Sequence, residues 1–117
     1  MSMRTKKAPA GLDAAGRVLW AAVTRDYELS AHELAILTEA ARTVDLLTRL
    51  EAEVIEHGAV VESPQGRRAN PAAVEARQQR ITLARLLAAL RIPLDDSASS
   101  NRTQARPLRG VYGVAGR

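Results

Sequence analysis

A continuous helical pattern of about 27 residues constrains this chain more than any other feature of its sequence. The pattern opens at Ser30, whose hydroxyl is spaced to accept from the backbone amide of Glu33 in a capping box. It stops at His57, because Gly58 can adopt the left-handed conformation that ends a helix. At 1.5 Å per residue this helix is about 40 Å long, which is too long to be buried in a small monomer. The pattern therefore predicts a rod that needs partners.

The apolar residues of this pattern form one broad stripe. They recur at spacings of three and four, which places them on one face of an α-helix, while charged residues largely occupy the other faces. The stripe consists of Leu37, Ala40, Ala41, Val44, Leu47, Leu50, Val54 and Ile55, widened by Leu34, Ile36 and Leu46. A face of this width is expected to touch both a helix of the same chain and a neighbouring subunit.

A small β-hairpin and a second helix are predicted to follow. The stretch 59–63 is β-prone, 64–66 carries a turn signal, and 67–69 can return as a second strand. Because an isolated hairpin is barely stable, it must lean on helices or on a neighbour. Asn70 as a cap and Pro71 at the first helical position then start the second helix.

The second helix is basic and ends by Arg91, because Ile92 precedes Pro93. Its apolar residues are Val74, Ile81, Ala84, Leu87 and Ala88 near one line, with Leu83, Leu86 and Leu90 beside them. The two long helices predict an all-α fold built on a helical hairpin that assembles through its apolar faces. The predicted oligomer interface comprises Leu37, Val44, Leu47, Leu50, Val54, Ile81 and Leu87.

A short helix precedes the hairpin, and basic segments flank the predicted domain. Asp13 can cap the short helix, on which Gly16 costs about 1 kcal/mol relative to Ala, so tertiary contact is expected to hold it. Trp20 is expected to be a packing anchor of this helix rather than a binding platform. The predicted plan is a flexible basic arm at 1–12, a helical domain at 13–93 and a disordered basic tail at 94–117. The end of the tail, 108–114, is either a short docking peptide or an inert end.

The composition predicts a thin core. Aromatic residues make up only 3% of the chain, which has no Phe, so the interior must be built from Leu, Val, Ile and especially Ala. A buried Ala contributes roughly one methyl group, against ~1.5–3 kcal/mol for a fully buried Leu or Ile. A monomer is therefore expected to be marginal, and assembly would supply the missing burial.

No pattern in the sequence indicates catalysis. The chain has no Cys, which excludes disulfides and Cys-ligated metals, and it has no Walker-type loop, HExxH motif or nucleophile elbow. Glu53 and His57 are interpreted as an exposed pair spaced i, i+4, and His32 as a residue beside a helix cap. No enzyme, cofactor or metal site is predicted. Neither a spanning segment nor a signal peptide is apparent, so a soluble intracellular protein is expected.

Charge is distributed unevenly along the chain. Residues 1–63 carry seven Lys and Arg against ten Asp and Glu, a net −3, whereas residues 64–117 carry ten against three, a net +7. A basic half favours contact with a polyanion such as DNA or RNA, although a basic solvated surface is the alternative. The candidate phosphate-binding residues are Arg67, Arg68, Arg77, Arg80, Lys6 and Lys7. Contacts of this kind position a protein on DNA without reading its bases.

An ordered set of residues resembles the small terminase subunits of tailed bacteriophages. The set spans about residues 10 to 95 and includes glycines, apolar pairs and helix-start signals in a distinctive order. It comprises Gly11, Gly16, Leu19-Trp20, Tyr27-x-Leu29, Glu33-x-x-x-Leu37, Asp45, Leu50, Gly58, Gly66, Asn70-Pro71, Leu83, Leu87 and Ile92-Pro93. The resemblance implies an α-helical subunit that forms a ring and has no enzymatic activity of its own.

The same resemblance implies a role in viral genome packaging in the cytoplasm of the host cell. Such a subunit binds double-stranded viral DNA at the packaging start site and recruits or regulates the large terminase subunit, which holds the ATPase and the nuclease. It implies a homo-oligomeric ring of more than four subunits, with no membrane contact and with the tail as a candidate segment for the large subunit. Two rival hypotheses stay open: a helical adaptor that never touches nucleic acid, and a dimeric DNA-binding regulator.

Overall fold

The computed structural model describes residues 6–91, which form three helices and one two-stranded antiparallel sheet. The elements in chain order are α1 (Ala14–Asp26), α2 (Ala31–His57), β1 (Val60–Ser63), β2 (Gly66–Ala69) and α3 (Pro71–Leu90). The predicted helical hairpin, its short preceding helix and its small β-hairpin are confirmed. The predicted tail at 94–117, with its candidate docking peptide, lies outside the described residues.

The ends of α2 follow the local chemistry of the sequence. The amide of Glu33 donates to Ser30 Oγ at 3.3 Å, and the amide of Ser30 donates to Glu33 Oε1 at 2.9 Å, which completes the predicted capping box. At the other end Gly58 has a φ of 88°, a conformation that other residues rarely adopt. The helix therefore begins and ends where the sequence predicts.

Asn70 joins the end of α2 to the start of α3. Its side-chain Oδ1 accepts from the amide of Ala72 at 2.9 Å, which caps α3, and its Nδ2 donates to the carbonyl of Gly58 at 2.8 Å. Its own amide donates to the carbonyl of Ala59 at 2.8 Å. The residue is buried, so these bonds satisfy polar groups that water cannot reach. This junction fixes the root of the β-hairpin between the two helices.

The face of α3 that packs against α2 differs from the expected one. Buried and half-buried positions recur at spacings of three and four along α3: Ala72, Ala76, Gln79, Leu83, Leu86, Leu87 and Leu90. The predicted line through Val74, Ile81, Ala84 and Ala88 instead faces solvent, and only Leu87 of that line is half-buried. Because α3 is apolar on both sides, periodicity could not select the buried one. The small side chains of Ala72 and Ala76 suit a close approach to α2.

The core lies where α1 and the end of α3 meet the first half of α2. Its buried residues are Leu12, Trp20, Val23, Leu37, Ala41 and Leu90. Trp20 packs there as expected, and its Nε1 donates to the carbonyl of Lys6 at 3.0 Å. The expected arm boundary is corrected by these contacts, since Ala8 and Leu12 pack in the core rather than in a mobile segment.

The N-terminus of α1 is capped by a residue of another helix. Asp13 occupies the cap position but its side chain makes no capping bond. The buried carboxylate of Asp45, on α2, accepts instead from the amides of Asp13 and Gly16, each at 2.7 Å. The carboxylate of Asp13 is free to accept from Arg49 Nη1 at 2.7 Å. Three hydrogen bonds thus hold α1 and its cap residue against α2.

Gly16 allows this close contact. A Cβ atom at this position would lie 2.5 Å from Asp45 Oδ2 and 2.7 Å from the carbonyl oxygen of Ala41. The expected tertiary contact that compensates for a glycine within α1 is therefore confirmed. In this contact the backbone of α1 at Gly16 lies directly against α2. Such an approach is possible only where the side chain is a hydrogen atom.

Candidate nucleic-acid interface

The structure places the six candidate phosphate-binding residues in two separate regions. Arg67 and Arg68 lie on β2, and Arg77 and Arg80 lie on the first three turns of α3, so these four share one end of the molecule. Lys6 and Lys7 are exposed, and the backbone carbonyl of Lys6 accepts from Trp20, whose ring packs in the core with Leu37. Leu37 and Gly58 are separated by about 30 Å along α2 at 1.5 Å per residue. The arginines therefore form one candidate site and the lysines another.

The β-hairpin carries two exposed arginines at the end of the helical rod. Arg67 pairs with Glu62 across the ladder, and Arg68 pairs with Val61. Neighbouring residues of a strand point to opposite faces, so the two guanidinium groups are directed to different sides of the hairpin. Arg67 Nε lies 3.8 Å from Glu62 Oε2, whereas Arg68 has no carboxylate partner within residues 6–91.

The two candidate arginines of α3 also differ in their partners. Arg80 Nη2 donates to Glu51 Oε2 of α2 at 2.7 Å, and Arg77 has no carboxylate partner in the part of the chain that the structure describes. Exposed ion pairs of this kind contribute only about 0–1 kcal/mol. A phosphate group approaching Arg67 or Arg80 must still compete with a carboxylate. At Arg68 and Arg77 it meets no such competitor.

The candidate set leaves out two further cations, one on α3 and one directly after it. Arg85 and Arg91 are exposed, and neither has a carboxylate partner among the described residues. Arg85 has no acidic residue three or four positions away in the sequence, so α3 itself offers it no carboxylate at helical spacing. The pairing of Arg80 with Glu51 was not visible, because 29 residues separate them.

The predicted oligomer-interface residues occupy three environments. Leu37 has no exposed surface, so it belongs to the core of the subunit and is removed from the set that a second copy can contact. Four residues of α2 and one of α3 are half-buried: Val44, Leu47, Leu50, Val54 and Leu87. Ile81 is exposed on the outer side of α3.

The imidazole groups occupy exposed positions next to polar partners. His57 Nδ1 lies 2.8 Å from Glu53 Oε2, which confirms the expected i, i+4 pair. His32 Nδ1 lies 3.1 Å from Ser30 Oγ at the cap of α2, also as expected. Within residues 6–91 no three His, Cys, Asp or Glu side chains are grouped closely enough to hold a metal ion.

The described part of the chain is thus a helical hairpin with a buttressing helix and an arginine-bearing β-hairpin at one end. None of the helices within residues 6–91 combines the length and the apolar character needed to cross a bilayer. Comparison of the chain with protein-family models, with curated proteins and with solved structures finds no match in any of the three.

Proposed function

We propose that this chain is a non-catalytic small terminase subunit that binds double-stranded viral DNA at the packaging start site. In this role it recruits or regulates the large terminase subunit, which supplies the ATPase and the nuclease, within the host cell cytoplasm. The order of glycines, apolar pairs and helix-start signals that resembles this class of protein supports the proposal. The helical hairpin is the architecture that the resemblance implies.

The exposed arginine cluster at the hairpin end carries the proposal. The described residues extend over 59 Å, whereas α2 alone accounts for about 40 Å, and the β-hairpin is the extension that follows the C-terminal end of α2. Arg67 and Arg68 lie on that extension and Arg77 lies on the adjoining part of α3. A long narrow subunit with cations at one end can approach a phosphate backbone without burying its rod.

Assembly would raise the DNA affinity of this site. Two or three arginines in a single subunit contact few phosphates, so a lone copy is expected to bind DNA weakly. In the proposed ring of more than four subunits, the same contacts repeat at high effective concentration. Each neutralised phosphate also releases counterions, which makes the overall affinity fall steeply with salt.

A salt titration of DNA binding tests the proposal. We expect the wild-type chain to bind a duplex with an affinity that falls linearly on a log–log plot against salt, with a slope of about −0.9 per phosphate contacted. Fluorescence anisotropy of a labelled duplex gives the slope, and native mass spectrometry of the same sample gives the number of subunits. No binding, or binding indifferent to salt, would leave an oligomeric adaptor. A mass corresponding to two subunits would favour a dimeric regulator.

A further inference from the structure

The outer face of α3 carries an apolar ridge that no element within residues 6–91 covers. Val74 and Ile81 keep 40% and 44% of their surface exposed, and Ala88 is exposed one further heptad along. Residues seven apart fall on nearly the same side of a helix, and this side is opposite the row that packs against α2. We call Val74, Ile81 and Ala88 the α3 ridge.

The α3 ridge has a basic rim. Arg77 and Arg85 lie on its two sides, and neither has a carboxylate partner among the described residues. The one acidic residue of α3, Glu75, lies on another side of the helix, where Gln79 Nε2 donates to its Oε2 at 2.7 Å. Two α3 ridges packed against each other would bring these guanidinium groups together, and like charges at an interface are costly. The ridge therefore fits a face of opposite charge.

Such a face exists at the C-terminal end of α2. The hydrogen bonds that join α2 to α1 and to its cap residue Asp13 come from Asp45 and Arg49, so the last two turns of α2 lie beyond them. Ile55 lies there with 85% of its surface exposed, and Glu56 beside it is exposed and makes no ion pair with any residue in the range 6–91. From residue 50 to residue 63 the chain has four Glu and no Lys or Arg. Glu51, Glu53 and Glu62 already lie beside Arg80, His57 and Arg67, so Glu56 is the carboxylate of this stretch with no cation beside it within residues 6–91. We call Ile55 and its acidic surroundings the Ile55 patch.

We propose that the α3 ridge of one copy packs against the Ile55 patch of the next copy. Apolar side chains meet at the centre of this contact, and the guanidinium groups of the rim face the carboxylates of the patch. Because the two faces differ, the contact is heterologous and leaves one free face of each kind at every addition, which allows a ring to close. The inference rests on the proposed function in that it assigns the contact through which the proposed ring forms.

The same observations disfavour DNA as the occupant of the ridge. A phosphate backbone would contact the arginines of the rim but would gain nothing from Val74 and Ile81, which would then be covered by a charged partner. A second copy satisfies both the apolar centre and the basic rim. The contact also differs from the predicted oligomer interface, of which it keeps only Ile81.

One substitution on each face tests the contact, first in each variant protein alone and then in a mixture of the two. We expect Ile81→Asp and Ile55→Asp each to reduce the full-length chain from the wild-type oligomer to a monomer in native mass spectrometry at a fixed protein concentration. Both positions are exposed, so circular dichroism should report unchanged helix content. Val18→Asp is the matched control, because Val18 lies on α1 with 69% exposure and outside both faces. It should keep the wild-type mass.

Mixing the two interface variants gives a stricter result. The Ile55→Asp copy retains its α3 ridge and the Ile81→Asp copy retains its Ile55 patch, so one intact contact is possible between them. We expect an equimolar mixture to form a one-to-one dimer and nothing larger, since the remaining faces are both defective. Wild-type mass for either variant alone, or no dimer in the mixture, would overturn the inference.

The failure of this inference is distinguishable from that of the proposed function. A wild-type chain that stays monomeric at high concentration but binds DNA with a steep salt dependence would overturn the contact and keep the DNA-binding role. Loss of DNA affinity in Ile81→Asp with the oligomer intact would assign the ridge to DNA and likewise overturn the contact. Dissociation of Val18→Asp would show that any exposed acid disrupts assembly, and it would overturn the assignment of the two faces.

Discussion

Replacing Asp45 with Asn is expected to lower the free energy of unfolding by about 2–3 kcal/mol, although the two side chains are nearly the same size. Both carboxylate oxygens of Asp45 accept from backbone amides at the start of α1. An Asn side chain offers one acceptor and turns an NH2 group toward the other amide, which leaves a buried donor without a partner. It also removes the negative charge that strengthens both bonds. Urea unfolding at fixed protein concentration, followed by circular dichroism, measures the change.

The control for this prediction is Glu39→Gln on the same helix. It makes the same chemical change at an exposed position whose carboxylate pairs with Arg42 at 3.2 Å. Surface pairs of this kind contribute little, so a loss below about 0.5 kcal/mol is expected. Equal losses for the two variants would mean that Asp45 does not cap α1.

Gly16→Ala tests the same contact between α1 and α2 by changing the α1 residue that lies against Asp45. Helix propensity alone predicts that Ala stabilises α1 by about 1 kcal/mol relative to Gly. The contact with Asp45 and the Ala41 carbonyl predicts the opposite sign, because a Cβ at 2.5 Å and 2.7 Å from those oxygens requires α1 to move. A stabilised Gly16→Ala protein would contradict the close packing of α1 on α2.

Helix boundaries were predictable because their chemistry is local. The capping box of α2 involves two residues three apart, and the start of α3 involves the adjacent pair Asn70 and Pro71. The end of α3 at Leu90, followed by Arg91 in the left-handed conformation, follows from the nearby proline at position 93. Each signal acts within about one helical turn, so the sequence displays it directly.

Contacts between distant residues were not predictable in the same way. Asp45 caps a helix that begins 32 residues earlier, and nothing in its own neighbourhood marks it as a cap. The side of α3 that faces α2 was ambiguous, because both its rows contain apolar residues at helical spacing. The packing of Leu12 depends on Trp20 and Leu37, which lie on two different helices. In each case tertiary geometry decides between options that local patterns leave equal.

The candidate DNA-binding residues also fall into two groups: those whose location follows from local sequence and those whose location depends on tertiary contacts. The sequence placed Arg67, Arg68 and Arg77 near one turn, and the structure keeps them at one end because the β-hairpin and α3 adjoin. The candidate set also included Lys6. Because the Lys6 carbonyl accepts from Trp20, this residue lies near the core around Leu37 and not beside the arginines. Ion pairing with Glu62 and Glu51 depends on cross-strand and interhelical contacts, so it separates the arginines only once the fold is known.

Changing Arg67, Arg68, Arg77 and Arg80 together to Ala is expected to weaken binding to a DNA duplex by about 100-fold at low salt. Each lost phosphate contact should flatten the log–log salt slope by about one per subunit engaged. Arg77 is the one residue of the four that lies on the rim of the α3 ridge. Assembly should therefore weaken only slightly, because the apolar centre of that contact and Arg85 are unchanged. Anisotropy titrations at several salt concentrations and native mass spectrometry measure the two effects separately.

The pairs within this set should differ in effect. Arg68→Ala with Arg77→Ala removes two cations that have no carboxylate competitor among the described residues, whereas Arg67→Ala with Arg80→Ala removes two that are already paired. Replacing a paired arginine also leaves a carboxylate without its partner, and that carboxylate repels phosphate. In the wild-type chain, however, a paired guanidinium binds phosphate only after its ion pair breaks. We therefore expect the larger flattening of the salt slope in the unpaired set.

A charge-matched control separates a site from a general effect of net charge. Arg25→Ala with Arg42→Ala removes two exposed arginines away from the β-hairpin, since Arg25 lies in the last turn of α1 and Arg42 lies in the first half of α2. If long-range charge alone drove binding, this variant would lose as much affinity as either hairpin pair. A smaller loss assigns the contact to the hairpin end. An unchanged affinity in the fourfold variant would remove the hairpin from the DNA-binding site and direct attention to Lys6 and Lys7, because they are the remaining candidate cations.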